Sequence, residues 1–285
     1  MTIRPGEDTA VRSRNLFCPD PINTSIDAFA ANFCIFQGYI YAVFTKSSGM
    51  SFKLYVSRSR DGLNWFDTQP IHGQHNTSAT RPGVIVFQNK LWMIYRSYSA
   101  HQLCVSKSTD GLSWTRPELI PKDTIDCMSG VALCVFEGAL YMGYQDTRRE
   151  HGGNFVSLVY SRDGVNWIKK GYDRAGHAEV TLAVFKERIR MTWCHDNNVD
   201  DVNWMGAHTN YCVHRGTLYQ VWNTVNNHRL FISKSRDGVI WSHPFGLVGK
   251  TGWYPTLLSV NDDLILFYTR NSLKVMYMDP GDIVA

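Results

Sequence analysis

The chain has no stretch approaching the ~18 consecutive apolar residues that a membrane-crossing helix needs, so a membrane protein of that kind is excluded. Met1 to Arg14 is polar and charged and holds no apolar leader core, which makes the cytoplasm the expected location. Charge is also sparse. Asp, Glu, Lys and Arg make up 19% of residues and the formal balance is only +4. Lys107, Arg162 and Arg236 are scattered rather than gathered into a basic stripe, so neither nucleic acid nor a membrane surface is expected as a partner. The seven cysteines form an odd count with no CxxC pair. That argues against a disulfide frame and a zinc site and for reduced thiols, and no metal or cofactor is expected.

A repeated phrase dominates what is present. Ser59-Arg60-Asp61-Gly62-Leu63-Asn64-Trp65 returns as Asp110-Gly111-Leu112-Ser113-Trp114, Asp163-Gly164-Val165-Asn166-Trp167, an eroded Asp200-Asp201-Val202-Asn203-Trp204, and Asp237-Gly238-Val239-Ile240-Trp241. The aspartates are 49, 53, 37 and 37 residues apart, a period that marks a repeat architecture. The chemistry of the phrase is that of a tight turn. The carboxylate accepts from backbone N–H groups two or three residues on, the glycine takes a positive φ, and the tryptophan plugs the space between neighbouring sheets.

Ahead of each phrase lies a second repeated unit, an apolar run, a short turn and a strand ending in an aromatic. It is found at Phe36-Gln37-Gly38, Phe87-Gln88-Asn89, Phe136-Glu137-Gly138, Phe185-Lys186-Glu187, His214-Arg215-Gly216 and Val260-Asn261-Asp262. Six β-hairpins are predicted, each continued by a third strand and by a short fourth one beginning at the tryptophan. Four antiparallel strands repeated around an axis make a propeller blade. The expectation is a single all-β domain over residues 1–285, a six-bladed β-propeller with a five-bladed alternative. The fourth unit is short, and the segment 15–23 supplies the outer strand that closes the last blade.

The phrase resembles the Asp box, or BNR repeat, of sialidase-like propellers, with Trp four positions after Asp in every copy. That resemblance implies the propeller fold and a glycoside hydrolase-like enzyme acting on a sugar. A short box also resembles that of five-bladed glycosidases. Arg81-Pro82-Gly83-Val84 and Glu179-Val180-Thr181 look like their strand-start segments, and both resemblances lead to Glu179.

The candidate site follows from aligning the six hairpins. Six positions before each turn-side anchor stand Ala30, Arg81, Gly130, Glu179, His208 and Tyr254, which a propeller places at one mouth of its central channel. The boxes are nearly alike and these positions are not, which is the pattern of a site needed once. Glu179 is the strongest candidate, because a carboxylate in a narrow channel costs desolvation unless it is paired or used. With Tyr254 it resembles the nucleophile and activating carboxylate of sialidases, and His208 completes the catalytic expectation. Arg81, Arg96 and Arg270 are candidates to bind an anionic group, joined as substrate-binding candidates by His177, His195 and Asp146.

The reading is thus a glycosidase-type enzyme for an acidic or polyhydroxylated sugar-like substrate, with no metal. The alternatives are a sugar-binding lectin without turnover and a His/Glu acid–base enzyme of lyase or isomerase type. Oligomeric state has no signature in the sequence.

Overall fold

The computed structural model describes residues 22–24, 26–49, 51–77, 80–121, 125–127, 129–146, 155–174, 179–193, 208–281 and 283. Every regular element in it is a strand. In chain order these are β1 (Ile22–Asn23), β2 (Ala31–Phe36), β3 (Tyr39–Ser48), β4 (Ser51–Ser59) and β5 (Trp65–Pro70). Next come β6 (Gly83–Phe87), β7 (Lys90–Arg96), β8 (Leu103–Ser108), β9 (Glu118–Leu119), β10 (Ala132–Phe136), β11 (Ala139–Asp146), β12 (Phe155–Ser161) and β13 (Ile168–Arg174). The remainder are β14 (Val180–Phe185), β15 (Arg188–Trp193), β16 (His208–His214), β17 (Thr217–Asn223), β18 (Arg229–Ser235), β19 (Phe245–Thr251), β20 (Trp253–Val260), β21 (Asp263–Arg270) and β22 (Ser272–Met278).

Five sheets are four-stranded and antiparallel, and β14 with β15 forms a two-stranded one. The innermost strands β2, β6, β10, β14, β16 and β20 pack each on the next, and β20 returns to β2. The molecule is a β-propeller. Among the described residues five blades are complete, which is the five-bladed alternative rather than the expected six, and β14 with β15 stands as a hairpin between β10 and β16. The eroded box of the short fourth unit, Asp200 to Trp204, lies outside the described residues.

All six hairpins occur where the turns were read. Both turn residues have positive φ at Gln37/Gly38, Gln88/Asn89, Glu137/Gly138, Lys186/Glu187 and Arg215/Gly216, the pattern whose twist matches the strands it joins. The ring is closed by β1, which pairs with β22 through Ile22↔Val275 and Asn23↔Lys274. Residues 15–21 of the expected closing segment lie outside the described residues.

The box turns work as the sequence implied, with one addition. Asp61 Oδ1 accepts from the backbone N–H of Leu63 (2.9 Å) and Asn64 (2.8 Å), and Asp110, Asp163 and Asp237 repeat the arrangement. In each copy a serine two positions earlier accepts from the glycine N–H, at 2.8 Å for Ser59 and 2.7 Å for Ser108. Partial burial works against ionising Asp61 and Asp110, but the accepted hydrogen bonds outweigh it and hold both near 2. The fourth strand begins at the tryptophan only in the first blade. Pro117 and Pro244, which have no N–H to offer a ladder, stand immediately before β9 and β19 and delay those strands.

The boxes also fasten one blade to the next. A Cβ on Gly164 would sit 2.1 Å from the Trp92 ring, and one on Gly111 would sit 2.2 Å from the Tyr41 ring. Both glycines have positive φ as well, so the turn and the close approach each require the missing side chain. Tyr41 donates its hydroxyl hydrogen to Asp110 O (2.8 Å), and Gln88 Nε2 donates to Arg162 O (2.9 Å). Between the blades lie apolar layers such as Ile40, Leu91, Leu140, Leu218 and Leu264, all at or below 1% exposure. The five described cysteines are free, and burial raises their thiols, to about 12 for Cys34 and about 11 for Cys104. Among the described residues no helix is long and apolar enough to cross a membrane.

Candidate active site

The six aligned positions stand at the starts of the six innermost strands. Ala30, Glu179 and Arg81 precede β2, β14 and β6, Gly130 precedes β10, His208 is the first residue of β16 and Tyr254 the second of β20. Arg81 crosses the ring. Its Nη2 donates to Glu179 Oε2 (3.0 Å) and to Thr209 O (2.9 Å), and its Nη1 donates to Thr256 Oγ1 (3.1 Å) and reaches Pro255 O at 3.5 Å. One guanidinium therefore joins the second, fourth, fifth and sixth positions of the ring. The Arg81 and Glu179 side chains are only 8% and 13% exposed, so the pair is largely cut off from water.

Glycine at position 130 is what allows this closeness. A Cβ there would lie 2.9 Å from Arg81 O and 3.5 Å from Glu179 Oε1. Since Arg81 ties Oε2, Oε1 is the oxygen left facing the space beside Gly130.

His208 and Tyr254 complete the cluster. Their rings lie 3.9 Å apart between centroids, and the Arg81 guanidinium is 6.0 Å from the Tyr254 ring. His208 Nδ1 lies 3.1 Å from Asn223 Oδ1. Asn223 donates its amide to Thr224 O (3.2 Å), which fixes the oxygen toward the histidine. Nδ1 therefore carries the hydrogen, and Nε2 is the acceptor. Burial lowers the His208 pKa against the pull of Glu179, and Arg81 adds to the lowering, so the ring favours its neutral form. The Tyr254 hydroxyl is made harder to ionise, first by burial and then by the Glu179 charge, with Arg81 opposing.

Tyr254 sits in an unusual backbone. Its φ is 52°, in the left-handed region, and the pairing of β20 with β21 slips between Trp253 and Thr256. Three steps along β20 match two along β21, which is a bulge, and a bulge re-aims side chains. A bulky residue held at positive φ costs about 1–3 kcal/mol. The bulge turns Trp253 and Tyr254 to the mouth, where Trp253 lies 5.6 Å from His208 and 3.6 Å from His228 between ring centroids.

Other candidates stand apart from this cluster. Arg96 donates through Nε to Cys127 O (2.9 Å), and its Nη2 lies 3.3 Å from His101 Nδ1, so it ties the second blade to the segment before the third. Asp146 is 1% exposed, with Oδ2 reached by Ser157 Oγ (3.2 Å) and the Tyr144 hydroxyl (3.4 Å), and its carboxylate is used inside the third blade. Arg270 is exposed at the end of β21. Arg81 is where the alignment put it, but its partners are protein atoms rather than an open fork for a substrate carboxylate. His177 and His195 lie outside the described residues. Among the described residues no group of three or more His, Cys, Asp or Glu could hold a metal ion.

Sequence reasoning missed Trp253 and Phe29, whose rings stay 39% and 43% exposed at this mouth. The signal for Trp253 was local. Gly252 and Pro255 bracket two adjacent aromatics, a spacing that suits a bulge better than a plain strand.

No family model matches the chain, and no curated protein matches it. Solved structures do. A Hadza microbial sialidase superposes with a TM-score of 0.66 at 13% identity, over 92% of this chain and 67% of that one. A putative glycoside hydrolase from Bacteroides ovatus gives 0.56 at 15%, over 96% of each chain. A family 117 glycoside hydrolase produced by Zobellia galactanivorans gives 0.55 at 11%, over 92% of this chain and 91% of that one. The chain shares their propeller fold. At such identities the likeness concerns architecture, and chemistry has to be argued from the side chains at the mouth.

Proposed function

We propose that the chain is a carbohydrate-active enzyme of glycosidase type that works at the axial mouth. The observation that carries this reading is the Arg81–Glu179 ion pair, set against His208 and Tyr254 on a strained bulge. It combines a carboxylate, a neutral imidazole and a phenol in one place, in a ring whose other parts are repetitive. That the solved structures of like fold include a sialidase and glycoside hydrolases supports the same class.

In this reading Glu179 is the acid/base. Arg81 orients it through Oε2, and Oε1 takes the proton of the attacking group as the glycosidic C–O bond breaks; Glu179 then passes that proton to the departing oxygen, or an aryl leaving group departs as its phenolate. Tyr254 holds its proton firmly, so it attacks only as that proton passes to Glu179, or else it serves as a donor to the sugar. His208 Nε2 is a second acceptor, suited to a substrate hydroxyl or a water.

Glu179→Gln tests the proposal on a panel of aryl glycosides. Turnover should fall by about 10²–10⁴-fold while circular dichroism stays that of the parent. Turnover equal to the parent removes Glu179 from the mechanism. The neutral state of His208 favours one second reading, an acid–base elimination shared by His208 and Glu179. An unsaturated product absorbing in the ultraviolet, in place of a new reducing end, would select it.

A further inference from the structure

Two exposed aromatic rings flank the ion pair, and the arginine inside that pair is already occupied. Guanidinium offers five N–H donors. Four of those on Arg81 point at Glu179 Oε2, Thr209 O, Thr256 Oγ1 and Pro255 O, which leaves Nε alone. No two-pronged grip on a carboxylate remains, and at 8% side-chain exposure an incoming anion would have to displace Glu179. Arg96 engages Cys127 O through Nε and His101 through Nη2, two of its five donors, and so ties down its own blade.

The apolar part of the mouth is continuous. Ring centroids run from Phe52 to Phe29 (5.2 Å), from Phe29 to Tyr254 (5.7 Å), from Tyr254 to His208 (3.9 Å), from His208 to Trp253 (5.6 Å) and from Trp253 to His228 (3.6 Å). Phe29 belongs to the first blade and Trp253 to the last, yet one hydroxyl lies within reach of the carbonyls of both. Thr269 Oγ1 lies 2.8 Å from Phe29 O and 3.2 Å from Trp253 O. The two rings are buried on one side and open on the other, at 43% and 39% exposure, with the polar cluster between them. Exposed rings fixed in place beside converging polar groups are the composition of a small-ligand site, and the apolar faces of sugar rings pack on such surfaces.

We propose that this mouth binds an uncharged saccharide of at least two rings, one stacked on Trp253 and another toward Phe29, and does not select acidic sugars. The inference rests on reading the axial mouth as a carbohydrate site, and it narrows the substrate class. The net charge met by a ligand is small because Arg81 and Glu179 cancel, and affinity comes from ring stacking and neutral hydrogen bonds. Trp253 acts here as a specificity residue.

The test uses the parent protein, which keeps the Arg81 and Glu179 charges balanced, and isothermal titration with thio-linked, uncleavable forms of neutral di- and trisaccharides including mannobiose and xylotriose, set against thio-linked sialyllactose and digalacturonate. A neutral sugar should bind, Trp253→Ala should weaken it about tenfold, and Trp253→Phe should restore most of the loss. Tighter binding of an acidic sugar, reduced by Arg270→Ala, overturns the proposal while leaving a glycosidase intact. Unchanged neutral binding in Trp253→Ala, or no binding across the panel, also overturns it. Neutral binding through Trp253 by a parent protein that turns over no glycoside sustains this inference and sinks the enzymatic one.

Discussion

The outer turns and the axial mouth use the same kinds of side chain under opposite rules. At the turns four aspartates accept the same pair of backbone hydrogen bonds, all within 2.7–2.9 Å. At the mouth a single arginine serves four positions of the ring, and no other blade supplies a copy. The turns are redundant, so loss of one leaves three. The mouth is not, and a change at one residue spreads to every blade it touches. Polar groups repeated around the ring are therefore parts of the scaffold, and a polar group found once in the ring is where specialised chemistry belongs.

The comparison breaks most easily at Arg81. Arg81→Ala leaves Glu179 mostly buried without its partner and strands a hydroxyl and carbonyls on two further blades. Urea unfolding should show a loss of about 3–5 kcal/mol. A loss below about 1 kcal/mol would mean that water already screens the pair, as it does for surface ion pairs.

The next effect is expected at the boxes, where the copies can be ranked against each other. Gly164→Ala drives a methyl into the Trp92 ring and should cost about 1–3 kcal/mol. Gly62→Ala meets Phe267 only at 3.2 Å and should cost less, although both glycines share the positive φ. Equal losses at the two sites would assign the whole effect to backbone strain and none to the inter-blade contact.

The smallest effect concerns single box aspartates. Asp110→Ala should remove about 1 kcal/mol, and the three other described boxes keep the fold. Acid sharpens the contrast, because Asp61 and Asp110 fall from the ordinary 3.8 to about 2 in the folded chain. A lowered carboxyl pKa means that the unfolded chain binds protons first. The stabilisation is complete above about pH 4 and drains as pH falls toward 2. Urea titrations across that window should show a shallower decline in Asp61→Ala/Asp110→Ala than in the parent. An unchanged decline would place the acid sensitivity elsewhere.

Much of this was legible in the residues because the repeat displays each rule several times. Asp61-Gly62 and Asp110-Gly111 announce the same turn, and aligning Phe36, Phe87, Phe136, Phe185, His214 and Val260 brings Arg81, Glu179, His208 and Tyr254 to one level. What stayed hidden depends on contacts far apart in the chain or on departures from the repeat. Arg81 meets Glu179 across 98 residues, and no local pattern says that it prefers that carboxylate to an incoming anion. That Asp146 Oδ2 is met by Ser157 on the neighbouring strand is likewise a contact no local pattern announces. The Trp253–Tyr254 bulge breaks the alternation on which inward and outward faces were assigned. The serine of each box went unused in the reading, although Ser108, Ser161 and Ser235 repeat Ser59 at the same spacing.

The pairing of β1 with β22 has a consequence for the order in which the mouth comes into being. Ile22 and Asn23 are made before the ring and their ladder partners, Val275 and Lys274, only after it. Until then the circle is open, and Phe29 has no Thr269 hydroxyl to settle against. Whatever the pocket binds, a nascent or clipped chain lacking its last strands would carry Arg81 and Glu179 without a finished mouth around them.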